Sequence, residues 1–170
     1  IGTLTEANVD SFAFTLDGVD LTITPDINLT LTGAVAVVTG GEAYTAVKMQ
    51  DITVTASTVS GDFGLEGTFT FNSIDYNGAA DSFDRLDWTT LNLNPGAELP
   101  TPQDLTIDFT RDFVHRITGS VTGDAGNSNI FITSGDVTLA GTAEFAVTRY
   151  QQNIGTLTEA NVDSFAFTLD

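Results

Sequence analysis

Apolar residues alternate with threonine and other small polar residues along most of this chain, and this pattern most constrains its fold. Phe12, Phe14 and Leu16 fall on one side of an extended segment, and Ile52 and Val54 show the same alternation. A period of two is typical of half-buried strands, whereas helical spacing is almost absent. With about ten to twelve strands separated by turn signals, the sequence predicts an all-β, antiparallel β-sandwich with at most one short helix. A β-helix or solenoid-like fold is the alternative.

Local signals place the turns, one buried strand and the helix. The sequence DGVD, from Asp17 to Asp20, predicts a hairpin turn. The apolar run from Ala34 to Val38 fits a strand buried on both sides. Residues 72–102 are the least regular part of the chain, and the short helix is expected there, around residues 79–86.

One seventeen-residue segment, IGTLTEANVDSFAFTLD, occurs twice, at Ile1 to Asp17 and again at Ile154 to Asp170. The second copy therefore begins 153 residues after the first. Either the segment was duplicated in cloning, or the chain is one period of a tandem array followed by the start of the next. The second explanation is more economical. It predicts that residues 1–153 form one all-β repeat unit and that residues 154–170 supply the first strand of the next.

The duplicated segment is itself a predicted strand, because its apolar residues alternate. We expect one face of each copy to be buried against a sheet and to join neighbouring repeats through a shared or exchanged strand. The residues of this face are Phe12, Phe14 and Leu16 in the first copy and Phe165, Phe167 and Leu169 in the second. Burial of the second copy against residues 18–150 would indicate a shared strand. Exposure would put the boundary near Gln151 to Asn153.

Charge narrows the range of partners. The chain has 23 acidic and 5 basic residues and a formal net charge of −18. This balance argues against nucleic acid or an anionic membrane surface as partner. A hydrophobic content of 41% argues against intrinsic disorder. No apolar run approaches the roughly 20 residues that span a bilayer, so membrane insertion is not expected.

Calcium is the only cofactor that the sequence predicts. Calcium is bound by carboxylate, amide and backbone oxygens, which turns rich in Asp, Asn and Gly supply. At each such place the alternative is a solvated turn residue selected for its backbone preferences. The candidate ligands are Asp17, Asp20, Asp75, Asn77, Asp81, Asp84, Asp87, Asp124, Asn127 and Asn129.

Catalytic signals are missing from the sequence. His115 is the sole histidine, and the segment FVHRI places it on a predicted strand. The sequence has no cysteine and no motif of the common hydrolases, nucleotide-binding proteins or zinc proteases. We therefore expect no enzymatic activity.

The duplication, strand sequences such as DITVTASTVSGDFG and SGDVTLAGTAEF, and the low lysine and cysteine content resemble an extender repeat of a giant repetitive bacterial surface adhesin. The resemblance implies tandem all-β domains, often of immunoglobulin-like type, on the outside of a bacterial cell. It also implies calcium at the joints and neighbouring copies of the repeat as partners. The expected function is that of a spacer in an adhesive array.

Two other functions stay open. The first is a module that binds carbohydrate or a host protein, with residues 72–102 as the binding loop. Tyr76, Phe83 and Trp88 would stack on sugar rings there, although a core role is the alternative for Trp88. The second is a subunit of a self-assembling sheath, pilus or surface layer.

Overall fold

A computed structural model describes residues 8–23, 27–41, 43–58, 63–65, 67–124, 126, 130–134 and 137–169. It contains ten strands and one 3-10 helix within these ranges. The strands are β1 (Val9–Ile23), β2 (Ile27–Gly40), β3 (Tyr44–Thr58), β4 (Phe63–Leu65), β5 (Gly67–Ala79), β6 (Phe113–Thr122), β7 (Ile130–Ser134), β8 (Val137–Ala140), β9 (Thr142–Ile154) and β10 (Leu157–Leu169). The prediction of an all-β, antiparallel fold is confirmed.

Seven strands form one open sheet in the order β1-β2-β3-β5-β6-β9-β10, and every pair is antiparallel. The antiparallel ladders differ from the parallel coils of a β-helix. The connections from β3 to β5 and from β6 to β9 carry a small second sheet, β4-β7-β8. Within the described ranges, no helix has the length and apolar character needed to cross a membrane.

The predicted turn at DGVD is wrong. β1 continues through this sequence and pairs with β2 on both sides of it, at Leu16 with Gly33 and at Val19 with Leu31. The register shifts between these two pairs, so the sequence forms a β-bulge. Gly18 has a φ of 62°, the left-handed conformation that glycine adopts in a G1 bulge.

One face of the large sheet is covered by the irregular segment 80–112, and we call it the covered face. Val38 of β2 and Ala46 of β3 are fully buried beneath Trp88 and Phe109 of this segment. Leu105 packs in the same way against Ala34 and Ala36. The second layer over the central strands is therefore formed by irregular chain. Its alternating apolar residues Leu105, Ile107 and Phe109 are buried against the sheet, as the inward-facing residues of a strand would be.

The predicted helix at residues 79–86 is also wrong. β5 extends to Ala79, and the chain then turns at Asp81 and Ser82 and continues without helical structure. The 3-10 helix lies further on, at Pro95–Glu98, where proline occupies the first helical turn. Backbone bonds tie the segment to the sheet instead, as Ala80 N donates to the carbonyl of Ala43.

The opposite face of the large sheet, which we call the apolar face, carries almost only hydrophobic side chains. Cross-strand partners project from the same side of a sheet, so the registers define four rungs across the seven strands. Each rung is given in order from β1 to β10, and the first is the lowest. The first rung is Val19, Leu31, Val54, Phe69, Val121, Ala143, Leu169, and the second is Leu16, Gly33, Ile52, Phe71, Gly119, Phe145, Phe167. The third is Phe14, Val35, Met49, Ile74, Ile117, Val147, Phe165, and the fourth, or upper, rung is Phe12, Val37, Val47, Tyr76, His115, Arg149, Asp163.

Exposure distinguishes the two faces. Val38 and Ala46 are 0% exposed on the covered face, while Met49, Ile74, Ile117 and neighbouring residues of the apolar face are only half-buried. Val35 and Ile52 are the large side chains of that face that are buried. Side chains in the middle of a sheet are half-buried when only the neighbouring strands shield them and no second layer packs on that face. The half-burial of these residues therefore indicates that the described residues place no second layer over them.

Candidate functional site at the two edges of the sheet

The two copies of the duplicated segment form the two edges of the large sheet. Within the first copy, residues 9–16 belong to β1, and their counterparts 162–169 belong to β10. β1 pairs with β2 and β10 pairs with β9, at opposite ends of the strand order. The sheet therefore begins and ends with the same amino-acid sequence, VDSFAFTL.

The two edge strands also have the same direction and the same face. β1 and β10 are the first and seventh strands of an antiparallel series, so they run parallel to each other. Phe12 lies in the same rung as Asp163, and Phe165 follows Asp163 on that side of β10. Phe12 and Phe165 thus project from the apolar face alike. The copy in β1 pairs with β2 along one edge, and the copy in β10 leaves that same edge unpaired in this sheet. The copy in β10 pairs with β9 along the other edge, which the copy in β1 leaves unpaired.

The predicted inter-repeat residues are backbone-paired, but their side chains are largely exposed. Phe165 is 72% exposed, Phe167 51% and Leu169 78%, and in the first copy Phe12 is 62% exposed. Phe165 and Phe167 stack on each other with ring centroids 6.2 Å apart. Phe14 and Leu16 are half-buried. By the exposure of its side chains alone, the second copy would put the repeat boundary near Gln151 to Asn153. The backbone of β10 is nevertheless paired with β9 at Leu157 and from Ala160 to Leu169. The argument for a shared strand therefore rests on backbone pairing and not on side-chain burial.

An ion pair joins β10 to β9. Arg149 donates from Nε to Oδ1 of Asp163 at 2.6 Å and from Nη2 to Oδ2 at 2.9 Å. The hydrogen bonds from Arg149 lower the pKa of the Asp163 carboxyl, and they raise the pKa of the guanidinium in return. Sequence reasoning missed this pair. Asp10, the counterpart of Asp163 on β1, occupies the equivalent position at the other edge of the sheet.

The turn before β10 is anchored to the irregular segment. Gln151 N donates to the carbonyl of Asp112 at 2.7 Å, and the Gln151 side chain accepts from Arg85 and donates to the carbonyl of Glu159 at 3.0 Å. Glu159 N donates to Asn153 Oδ1 at 2.9 Å. These residues line a polar cleft of about 780 Å³. The predicted boundary sequence QQN thus lies where two strands and the irregular segment meet.

The calcium candidates are scattered over the structure. Asp17 lies at the bulge of β1, and Asp20 accepts a hydrogen bond from Thr30 at 2.7 Å. Asp81 is exposed in a turn, Asp84 lies 3.9 Å from Arg111, and Asp87 accepts from Thr89. Asp124 accepts from Gly126 N, and Asn127 and Asn129 lie outside the described residues. Among the residues that are described, no group of three or more His, Cys, Asp or Glu is arranged to hold a metal ion.

Asp75 and Asn77 have structural partners in the core. Arg116 donates to Asp75 Oδ2 from Nε at 2.9 Å, and Asn77 bonds to Trp88 and to two backbone carbonyls. Both side chains are buried under the irregular segment. Trp88 is itself 0% exposed, so stacking on a sugar would require the segment to open. Tyr76 and Phe83 are exposed, and Tyr76 belongs to the apolar face.

The Arg149 and Asp163 pair gives the β9–β10 joint a dependence on pH. Because the folded pKa of Asp163 is lowered, its contribution to stability is full above the unfolded pKa of about 3.9 and is lost as the pH falls through the folded value. We expect Arg149→Gln to lower the thermal midpoint at pH 7 and to make little difference near about pH 2. Salt at 1 M should shrink the effect at pH 7, since the pair is exposed.

Arg111→Gln is the matched control, because Arg111 pairs with Asp84 in the irregular segment and not across β9 and β10. Its effect should leave the exchange rates of the β10 amides unchanged, whereas Arg149→Gln should raise them. An equal loss of stability for Arg149→Gln at both pH values would contradict the assignment of the effect to this ion pair.

No protein-family model matches the chain, and the searches found no significant similarity to a characterised protein or to a solved structure.

Proposed function

We propose that this chain is a structural repeat of a long extracellular surface protein, in which neighbouring repeats share one strand and form a continuous sheet. The observation that carries the proposal is the placement of one sequence, VDSFAFTL, at both edges of one sheet with the same direction and face. In an array, the strand that closes one repeat as β10 opens the next as β1.

The registers support a strand with two partners. VDSFAFTL would lie between β9 of one repeat, paired over residues 143–150, and β2 of the next, paired over residues 33–40. Asp10 of each later repeat would then meet Arg149 of the preceding one, as Asp163 does in this chain. No edge would remain inside the array, and free edges are where repeated β-domains aggregate. The net charge of −18 favours separation of the remaining ends.

A shared strand fixes the repeat distance. Each repeat adds six strands to the sheet, and strands lie about 4.8 Å apart, which gives about 29 Å per repeat. A separate compact domain of this size would be roughly 38 Å across, without any linker. Load along such a sheet acts on ladders of hydrogen bonds, and stability comes from each unit and its nearest neighbours. A spacer of this kind projects a binding module from a surface.

The test uses proteins of two, three and four periods of residues 1–153, each closed by a final copy of residues 154–170. Small-angle scattering should show an increase in length of about 29 Å per added period. An increase of about 38 Å or more would indicate separate domains. The measurement in calcium and in chelator also tests the calcium proposal, because calcium at the joints should make the array stiffer without changing the period.

Hydrogen exchange supplies an internal control on the same proteins. With segmental labelling, every amide of an inner VDSFAFTL copy should be protected, because both edges of that strand are paired. In the first copy only alternate amides should be protected, since antiparallel pairing on one edge uses every second amide. Identical alternating protection in both copies would contradict a shared strand while leaving a tandem array intact.

A further inference from the structure

The apolar face is the largest feature of the molecule that the shared strand does not explain. Its three lower rungs, from the one that begins at Val19 to the one that begins at Phe14, hold no charged side chain on any of the seven strands. Only the upper rung is polar, and only from Tyr76 to Asp163. A sheet with one apolar face is stable in water when a second layer covers that face.

We propose that the apolar face packs against the apolar face of a second copy of this chain, giving a two-sheet dimer related by a twofold axis. Four rungs spaced by two residues and seven strands spaced by about 4.8 Å span roughly 20 Å by 29 Å between backbone centres, a flat area of roughly 600 Å². With the relief of the side chains added, this area is of the order of the roughly 800 Å² of accessible surface that each partner contributes to a stable interface. The inference does not depend on the shared strand, which uses the edges of the sheet and not its face.

The distribution of charge favours a second copy in spite of the net charge of −18. The irregular segment on the covered face holds a set of exposed carboxylates, Asp81, Asp84, Asp87, Glu98, Asp104, Asp108 and Asp112. This set points away from the proposed interface. Arg149 and Asp163 lie at one corner of the apolar face and already neutralise each other. The dimer would thus have an apolar centre and a polar rim, as stable interfaces do.

The two glycines of the second rung do not leave gaps in the face. The Ile52 side chain fills the space beside Gly33, and the edge of the Phe145 ring lies against Gly119. Phe145 also contacts Phe71, with ring centroids 6.0 Å apart. A second sheet would therefore pack against a continuous apolar surface.

The test uses the full 170-residue chain. Sedimentation equilibrium at neutral pH should give a single species with twice the 17.9 kDa mass of one chain. Ile74→Thr, Ile117→Thr and Val147→Thr together should raise the dissociation constant by about a hundredfold or more, because each exchange puts a hydroxyl in the interface and keeps a β-branched side chain. Ala146→Thr is the matched control, since Ala146 lies on β9 but faces the other side, and it should leave the constant unchanged.

Each other outcome counts against the dimer. A chain that stays monomeric at about 100 μM would overturn it, since interfaces of this size have dissociation constants from about micromolar to picomolar. An open-ended ladder of masses, insensitive to the threonine variant, would assign association to the sheet edges, because edge pairing does not close. Co-flotation of monomers with vesicles of neutral phosphatidylcholine would identify a lipid surface as the partner instead. If the triple variant loses its β-sheet circular dichroism, Ile117→Thr alone takes its place in the sedimentation experiment and should still raise the dissociation constant. Binding of a hydrophobic dye to the wild-type chain, measured across the same concentrations, should fall as the dimer forms. Dye binding that does not change with concentration would count against a buried apolar face.

Discussion

Replacing Trp88 by alanine is expected to lower the free energy of unfolding by about 3–5 kcal/mol, because the change removes the largest side chain of the core and leaves a cavity. Trp88 is fully buried between the irregular segment and the sheet, against Val38, Ala46 and Phe109. Its Nε1 donates to Asn77 Oδ1 at 3.0 Å, so the variant also leaves a buried amide oxygen without its donor. A loss of this size is a large fraction of the stability of a typical domain.

Urea denaturation followed by far-ultraviolet circular dichroism measures this effect, since Trp88 is the only tryptophan and its fluorescence disappears with it. Phe83→Ala is the control, because Phe83 lies in the same segment but is mostly exposed. Its cost should stay below about 1 kcal/mol. A Trp88→Ala loss as small as that of Phe83→Ala would show that the irregular segment does not stabilise the sheet.

The strands could be predicted from the sequence because each rung places apolar residues at alternate positions. Phe12, Phe14 and Leu16 do fall on one face of β1, and the run from Ala34 to Val38 lies in β2, buried except for half-buried Val37. The turn at Asp17 to Asp20 failed because Gly18 serves equally well in a bulge and in a hairpin. Local chemistry does not distinguish the two, since pairing with β2 beyond the bulge decides between them.

The location of the candidate site was only partly within reach of the sequence. The duplication indicated a joint, but the antiparallel order that brings its two copies to opposite edges depends on which strands pair, and β5, β6 and β9 are separated by long connections. The sequence also does not identify Arg149 as a residue of the joint. It becomes recognisable only when its cross-strand partner is known to be Asp163, which the duplicated segment contains.

Asp75 and Asn77 show that an acidic pattern in the sequence does not reveal the tertiary partners of each side chain. Their spacing of two residues resembles alternate ligands of a loop, but on β5 it places both on the covered face. There Asp75 meets Arg116 on β6, and Asn77 meets Trp88. The sequence contains five basic residues for 23 acids, and which acid receives which cation is a matter of tertiary pairing.

Removing the cation beside Asp75 is the second change with a large expected effect. Arg116→Met should lower the free energy of unfolding by about 3–5 kcal/mol, because it leaves a buried carboxylate without its charge partner. The Asp75 side chain is 0% exposed, and its Oδ1 has no hydrogen-bond partner among the described residues, so Oδ2 and Arg116 carry the compensation. Lys48 is opposite Asp75 on β3, but its ammonium pairs with Asp108 at 3.9 Å.

The double variant Asp75→Leu with Arg116→Met separates the loss of an interaction from the cost of an orphaned charge. With both charges removed, the stability should return to within about 1 kcal/mol of the wild type, since a buried ion pair replaced by apolar side chains is often neutral. Arg116→Lys should lie between the two, because lysine keeps the charge but loses the planar fork that meets the carboxylate. The coupling energy from a urea double-mutant cycle measures the pair directly. A coupling energy near zero would contradict this account, because it would mean that solvation by water, and not Arg116, compensates the buried Asp75 carboxylate.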